Sequence, residues 1–185
     1  TQNPLEMDGT YPLPEAQLDR FLFKIQVPFP KREELNEVLV RTTGSQSNEI
    51  KSVLSGAEIL KHRSTIRMIE AAPHVQDYAV RLLLATHPGS PMATEQVKRW
   101  VRFGASPRGV QSMLLGAKVR AALAGRLHLG FDDIRKTALA ALRHRILLGF
   151  EGEAEGISVD NIVTDILEST PELLESGLDN SGLDN

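Results

Sequence analysis

The sequence predicts a mainly α fold: a helical bundle preceded by a short helix and a single strand. Three observations carry this expectation. Aromatic residues make up only 5% of the 185 residues while Leu and Ala dominate the apolar set, a balance that favours helices packed on helices over a β-sandwich. From residue 31 onward, apolar side chains recur at three- and four-residue spacings. Only one segment, Phe21-Leu-Phe-Lys-Ile-Gln-Val27, alternates convincingly, with Phe21, Phe23, Ile25 and Val27 on one face.

The elements follow in order. Pro14 and Glu15 suit the start of a short helix that ends near Arg20. The alternating segment reads as a strand ended by Pro28 and Pro30, and a single strand implies sheet partners upstream. Lys31 to Thr42 carries Leu35, Val38 and Leu39 on one helical face, with Gly44 as a stop. Residues 44–55 form a polar connector. Further helices are expected over 57–71, 76–87, 107–123 and 132–148, the last opening on Asp132 as a cap. A final helix over 159–168 closes the bundle with Ile162, Val163 and Ile166. The expected organisation is a core edge over 1–30, a helical domain over 31–169 and an acidic, flexible tail over 170–185. That tail ends in the repeated Ser-Gly-Leu-Asp-Asn of 176–180 and 181–185.

Composition narrows the function classes. The chain has no cysteine, which excludes disulfides and thiolate metal sites and suits a reducing compartment. No apolar run approaches the roughly 18 residues of a membrane span, and no signal-peptide pattern occurs, so a cytoplasmic location is expected. None of the five histidines pairs at zinc-ligand spacing, so no metal site is expected. No serine sits in a Gly-x-Ser-x-Gly setting. The net charge of −3 hides a segregated pattern. Residues 98–145 are rich in Lys and Arg, with only Asp132 and Asp133 as acids, whereas residues from 151 onward carry acids alone. The basic stretch reads either as an attractor of phosphates, nucleic acid or an acidic subunit, or as a solvated helical surface neutralised by the acidic end.

Three motifs carry chemistry: Thr1-Gln2-Asn3-Pro4 with Gly9-Thr-Tyr-Pro-Leu-Pro-Glu-Ala-Gln-Leu-Asp-Arg20-Phe21, then Gly104-Ala-Ser-Pro-Arg108-Gly, then Leu142-Arg-His-Arg145. Together they resemble the MoxR-type AAA+ ATPases, strongly over residues 1–30 and as a lid pattern to about residue 150. The resemblance implies the C-terminal edge of the nucleotide-binding core, the last helix and strand of its α/β fold, followed by the helical AAA+ lid. It also implies ATP and magnesium bound between core and lid, hexameric rings, and remodelling or activation of partner proteins, including proteins with a von Willebrand A-type domain. Nucleic acid is not an expected partner on this reading. In the family the phosphate-binding loop and the magnesium-binding strand lie upstream, and no Gly-x-x-x-x-Gly-Lys-Ser/Thr loop occurs in this sequence. A fragment that is inactive alone is therefore expected, in keeping with Thr rather than Met at position 1.

The resemblance assigns roles to five residues. Asn3, which by itself is a common turn-former before Pro4, would orient the attacking water, since a neutral amide both donates and accepts. Arg20, otherwise a favourable cation in a last helical turn, would be an arginine finger reaching the ATP of an adjacent subunit. Asp19 could hold that guanidinium until the neighbour docks. Ser106 is a good N-cap and Pro107 a good first helical residue, which puts Arg108 in the first turn. A cation there opposes the helix dipole unless an anion binds nearby, and in the family this position is the second sensor of nucleotide state. Ser106, Pro107 and Arg108 are therefore the expected nucleotide-contacting set. Arg143, His144 and Arg145 receive no catalytic role. The rival reading is a non-enzymatic helical module binding nucleic acid or an acidic protein through the basic 98–145 region. Against it, Trp100 and Phe103 alone make a weak stacking platform and no helix-turn-helix pattern is clear.

Overall fold

The computed structural model describes residues 13–44 and 51–174. They form α1 (Glu15–Leu18), α2 (Arg32–Thr43), α3 (Gly56–Arg67), α4 (Pro73–Ala85), α5 (Glu95–Trp100), β1 (Val101–Phe103) and α6 (Arg108–Leu123). Then come α7 (Phe131–Leu142), β2 (Leu147–Leu148), α8 (Phe150–Ala154) and α9 (Val159–Ser169). The chain divides into two compact units, one of residues up to Lys24 together with those from Ile66, the other Ile25–Thr65.

The first unit holds the core. Tyr78 and Leu82 from α4, Val97 from α5, Met113 and Ala117 from α6, and Ile134, Ala138 and Leu142 from α7 are all fully buried. Ile162, Val163 and Ile166 from α9 join them, as the apolar spacing predicts. Removing such Leu and Ile side chains from water contributes about 1.5–3 kcal/mol each. Small residues let α6 and α7 approach closely, and the buried Thr137 hydroxyl donates to the Met113 carbonyl at 3.2 Å. In the second unit, α2 has its Lys31 amide donating to Glu34 at 2.7 Å, and α3 has Ser55 and Glu58 capping each other. None of its described residues is buried, and the stripe of Leu35, Val38 and Leu39 remains exposed.

Several boundaries differ from the sequence expectation. Residues 21–27 form no strand; their Lys24 amide donates to the Ala140 carbonyl at 2.9 Å, and the described residues offer them no ladder. The helix expected over 57–71 stops at Arg67, because Glu70 pairs instead with the stretch around His128: its amide donates to Leu127 and its carbonyl accepts from Leu129. The helix expected to reach residue 148 ends at Leu142, and Leu147 and Leu148 pair antiparallel with Phe103 and Val101. The α7 N-cap is Gly130 rather than Asp132, and Asp133 in the first turn reaches back to it: its carboxylate accepts from the Gly130 amide at 3.0 Å and from Arg126 Nη1 and Nη2 at 2.7 Å. Asp132 instead points outward to Lys136. The short α5 went unanticipated, although Thr94 caps it through the Val97 amide and acids precede bases along it.

Candidate functional site

The first turn of α6 and the turn after α1 meet around one carboxylate. Asp19 Oδ1 accepts from the Ser106 hydroxyl at 2.6 Å and from Arg145 Nε at 3.1 Å; its Oδ2 accepts from Arg108 Nη1 at 2.7 Å. Burial alone would raise the Asp19 carboxyl, but the Ser106 and Arg108 hydrogen bonds and the charges of Arg145 and Arg108 hold it below the usual carboxylate range. The expectation that Asp19 restrains Arg20 is corrected here. Its oxygens face Ser106, Arg108 and Arg145, while the Arg20 side chain is exposed and makes no ion pair among the described residues.

Local chemistry explains the placement of Ser106, Pro107 and Arg108. Pro107 has helical angles, φ −53° and ψ −21°. The Ser106 carbonyl accepts from the Gly109 amide at 2.8 Å, and its hydroxyl accepts from the Arg108 amide at 3.3 Å. Ser106 is thus the functional cap, and Arg108 stands in the first turn, half exposed, with Asp19 as its counter-ion. The loop before it is pinned to the end of α4. The Thr86 hydroxyl accepts from the Ala105 amide at 2.9 Å, and His87 Nε2 donates to the Ala105 carbonyl at 3.1 Å. Gly104 is needed for this close approach, since a Cβ there would stand 2.7 Å from the Thr86 carbonyl, the Thr86 hydroxyl and the His87 ring.

Arg145 contributes most to the cluster, although sequence reasoning left it without a role. Its side chain is buried and also donates to the carbonyls of Asp19 at 2.9 Å, Phe21 at 2.6 Å, Leu22 at 3.3 Å and Ala141. The buried His144 donates from Nε2 to the Phe21 carbonyl at 3.0 Å, which leaves Nδ1 as an acceptor with no partner among the described residues. Burial pushes this imidazole below the ordinary histidine range. The spacing of Arg-His-Arg after a helix was visible in the sequence; what it would grip was not.

The basic stretch is largely neutralised within the fold. Arg126 pairs with Asp133, Lys136 with Asp132, Arg143 with Asp160 and, at 3.9 Å, Arg135 with Glu172. This favours the solvated, internally compensated surface over a phosphate-tracking one. Asn3 lies outside the described residues. Among the described residues no group of His, Asp and Glu could hold a metal, and no helix is long and apolar enough to cross a membrane.

Residues 94–166 match the AAA lid domain, and residues 1–23 match the ATPase family associated with various cellular activities (AAA). The chaperone MoxR1 of Mycobacterium tuberculosis is 36% identical over 169 residues, covering 91% of this chain and 45% of that protein. This chain belongs to the MoxR-type AAA+ ATPase family. The MoxR protein of Methylorubrum extorquens is 33% identical over 158 residues, covering 80% of this chain and 46% of that one. A crystal structure of a protein from Cytophaga hutchinsonii assigned as an ATPase superimposes with a TM-score of 0.86 at 34% identity, covering 92% of this chain and 52% of that one. The chain thus spans about half the length of the relatives it matches. The matched lid of this MoxR-type chain contains both Arg108 and Arg145, and the matched AAA segment contains Asp19 and Arg20.

Proposed function

We propose that this chain supplies the lid and a trans-acting arginine to a ring-forming, chaperone-like ATPase that remodels or activates partner proteins. In this reading Arg108, seated by Ser106 and Pro107, senses the nucleotide. Asn3 orients the attacking water, and Arg20 reaches the ATP of the next subunit in a hexamer. One observation carries the reading: Asp19 engages Arg108 and Arg145 while its neighbour Arg20 stays exposed without an ion pair among the described residues. An exposed guanidinium beside a carboxylate already engaged by two other arginines is suited to an anion supplied from outside. ATP and magnesium would be held chiefly by groups absent from this sequence, so the chain alone turns over no ATP. A cytoplasmic location and a von Willebrand A-type partner belong to the same reading.

The deciding experiment is Arg20→Ala in the full-length ATPase. Hydrolysis should fall by about 10³-fold or more while ATP binding is largely retained. Mixing these subunits with others defective only in the phosphate loop should restore turnover, because intact half-sites then meet. Inactive mixtures, with mixed rings demonstrated, would exclude action in trans.

A further inference from the structure

The segment that carries Arg20 is bound to the lid along its whole length. Arg145 grips the carbonyls of Asp19, Phe21 and Leu22, and His144 grips Phe21 a second time. Phe23 fills a notch on α6 that exists because residue 116 is glycine: a Cβ there would lie 2.5 Å from the Phe23 ring. Lys24 closes the strap, its amide on Ala140 and its carbonyl accepting from Arg143 at 3.4 Å. Arg20, the one arginine in this run, directs an exposed, charged side chain outward without an ion pair among the described residues.

We propose that Arg145 is a positioning residue for Arg20: by fixing residues 19–22 to the lid, it makes Arg20 and Arg108 move as one body. Arg108 and Arg145 share Asp19 as a mechanical joint, Arg108 on Oδ2 and Arg145 on Oδ1, and Arg20 follows Asp19 directly in the chain. A displacement of the α6 N-terminus therefore carries the Arg20 turn with it. Nucleotide contact at one site is coupled in this way to the reach of the arginine offered to another. Only a planar guanidinium, with five donors in a fixed fork, can serve this many oxygens at once. The inference rests on the trans-acting role proposed for Arg20.

The test is Arg145→Lys, which keeps the charge and loses the fork. In this chain, amide exchange at Lys24 should quicken by about ten-fold or more as the strap loosens. In the full-length ring, kcat should fall by about ten- to a hundred-fold with KM for ATP within about two-fold. Phosphate-loop-defective subunits with an intact Arg145 should rescue the loss. Should Arg145→Lys not fold, Phe23→Ala loosens the other end of the strap and should give the same split of kcat from KM. A loosened strap with unchanged kcat in either variant overturns the proposal. Arg20→Ala run in parallel separates the two failures: if it retains turnover, the trans-acting role falls, and if it abolishes turnover while a loosened strap does not matter, only the positioning role falls.

Discussion

Arg145 holds Asp19 by both its side chain and its main chain, Nε to Oδ1 at 3.1 Å and Nη2 to the carbonyl at 2.9 Å. The two residues are 126 positions apart in the sequence. The same carboxylate takes Arg108, so one acid organises the end of the AAA segment and the first turn of a lid helix.

Nucleotide preference should depend on Arg108. In the full-length ATPase, Arg108→Ala should weaken ATP by about ten-fold while weakening ADP less, because a charge-assisted contact is worth about 1.5–3 kcal/mol and reaches the extra phosphate. Fluorescent labels on core and lid should also report a smaller nucleotide-dependent change in distance. Unchanged preference and an undiminished distance change would reduce Arg108 to a surface charge.

Acidification should loosen the strap through His144. Its folded-state pKa lies below the ordinary value of about 6.5, chiefly because burial disfavours the imidazolium. The unfolded chain therefore binds the proton first as pH falls, and the contribution present above about pH 6.5 is lost through the folded pKa. Thermal midpoints should decline on going from pH 7 to 5, and His144→Gln should flatten that decline. An equal slope in the variant would assign the effect elsewhere.

Asp133 makes a second acid-sensitive contact. The hydrogen bond from Arg126 is the main cause of its lowered pKa, with the Gly130 amide helping and burial opposing. Its contribution is present above about pH 4 and lost as pH falls through the depressed folded value. Asp133→Asn should cost about 1–3 kcal/mol at neutral pH, measured by urea unfolding, since a buried cap and a bidentate arginine lose their partner together. Asp132→Asn, at an exposed pair, should change stability by less than about 1 kcal/mol.

Gly104→Ala should destabilise by about 1–3 kcal/mol, because the added methyl meets backbone and a packed ring rather than open space. Gly89→Ala, where a Cβ meets nothing within 4 Å, is the matched control and should stay near neutral in the same denaturation experiment.

Residues 159–168 show what was legible in the chain alone. Ile162, Val163 and Ile166 recur at helical spacing, and that period puts them on one face of a helix, which here is buried. Ser106 and Pro107 likewise announced a helix start through local hydrogen bonding and a fixed φ, which need no distant partner. Segment 21–27 shows the limit. Its alternation implies a strand, but a strand exists only where a neighbour offers a ladder, and here its backbone groups are taken by Arg145, His144 and Ala140. Which of Asp132 and Asp133 turns back onto the start of α7 depended on where the loop brings Arg126, a matter of loop geometry. By itself the sequence determined the helical class, the buried faces of α4 and α9 and the arginine at the head of α6, because periodicity and capping act within a few residues. Only the tertiary structure decided that Asp19 serves Arg108 and Arg145 rather than Arg20, because a carboxylate's partner is set by which cations the fold brings within about 3 Å.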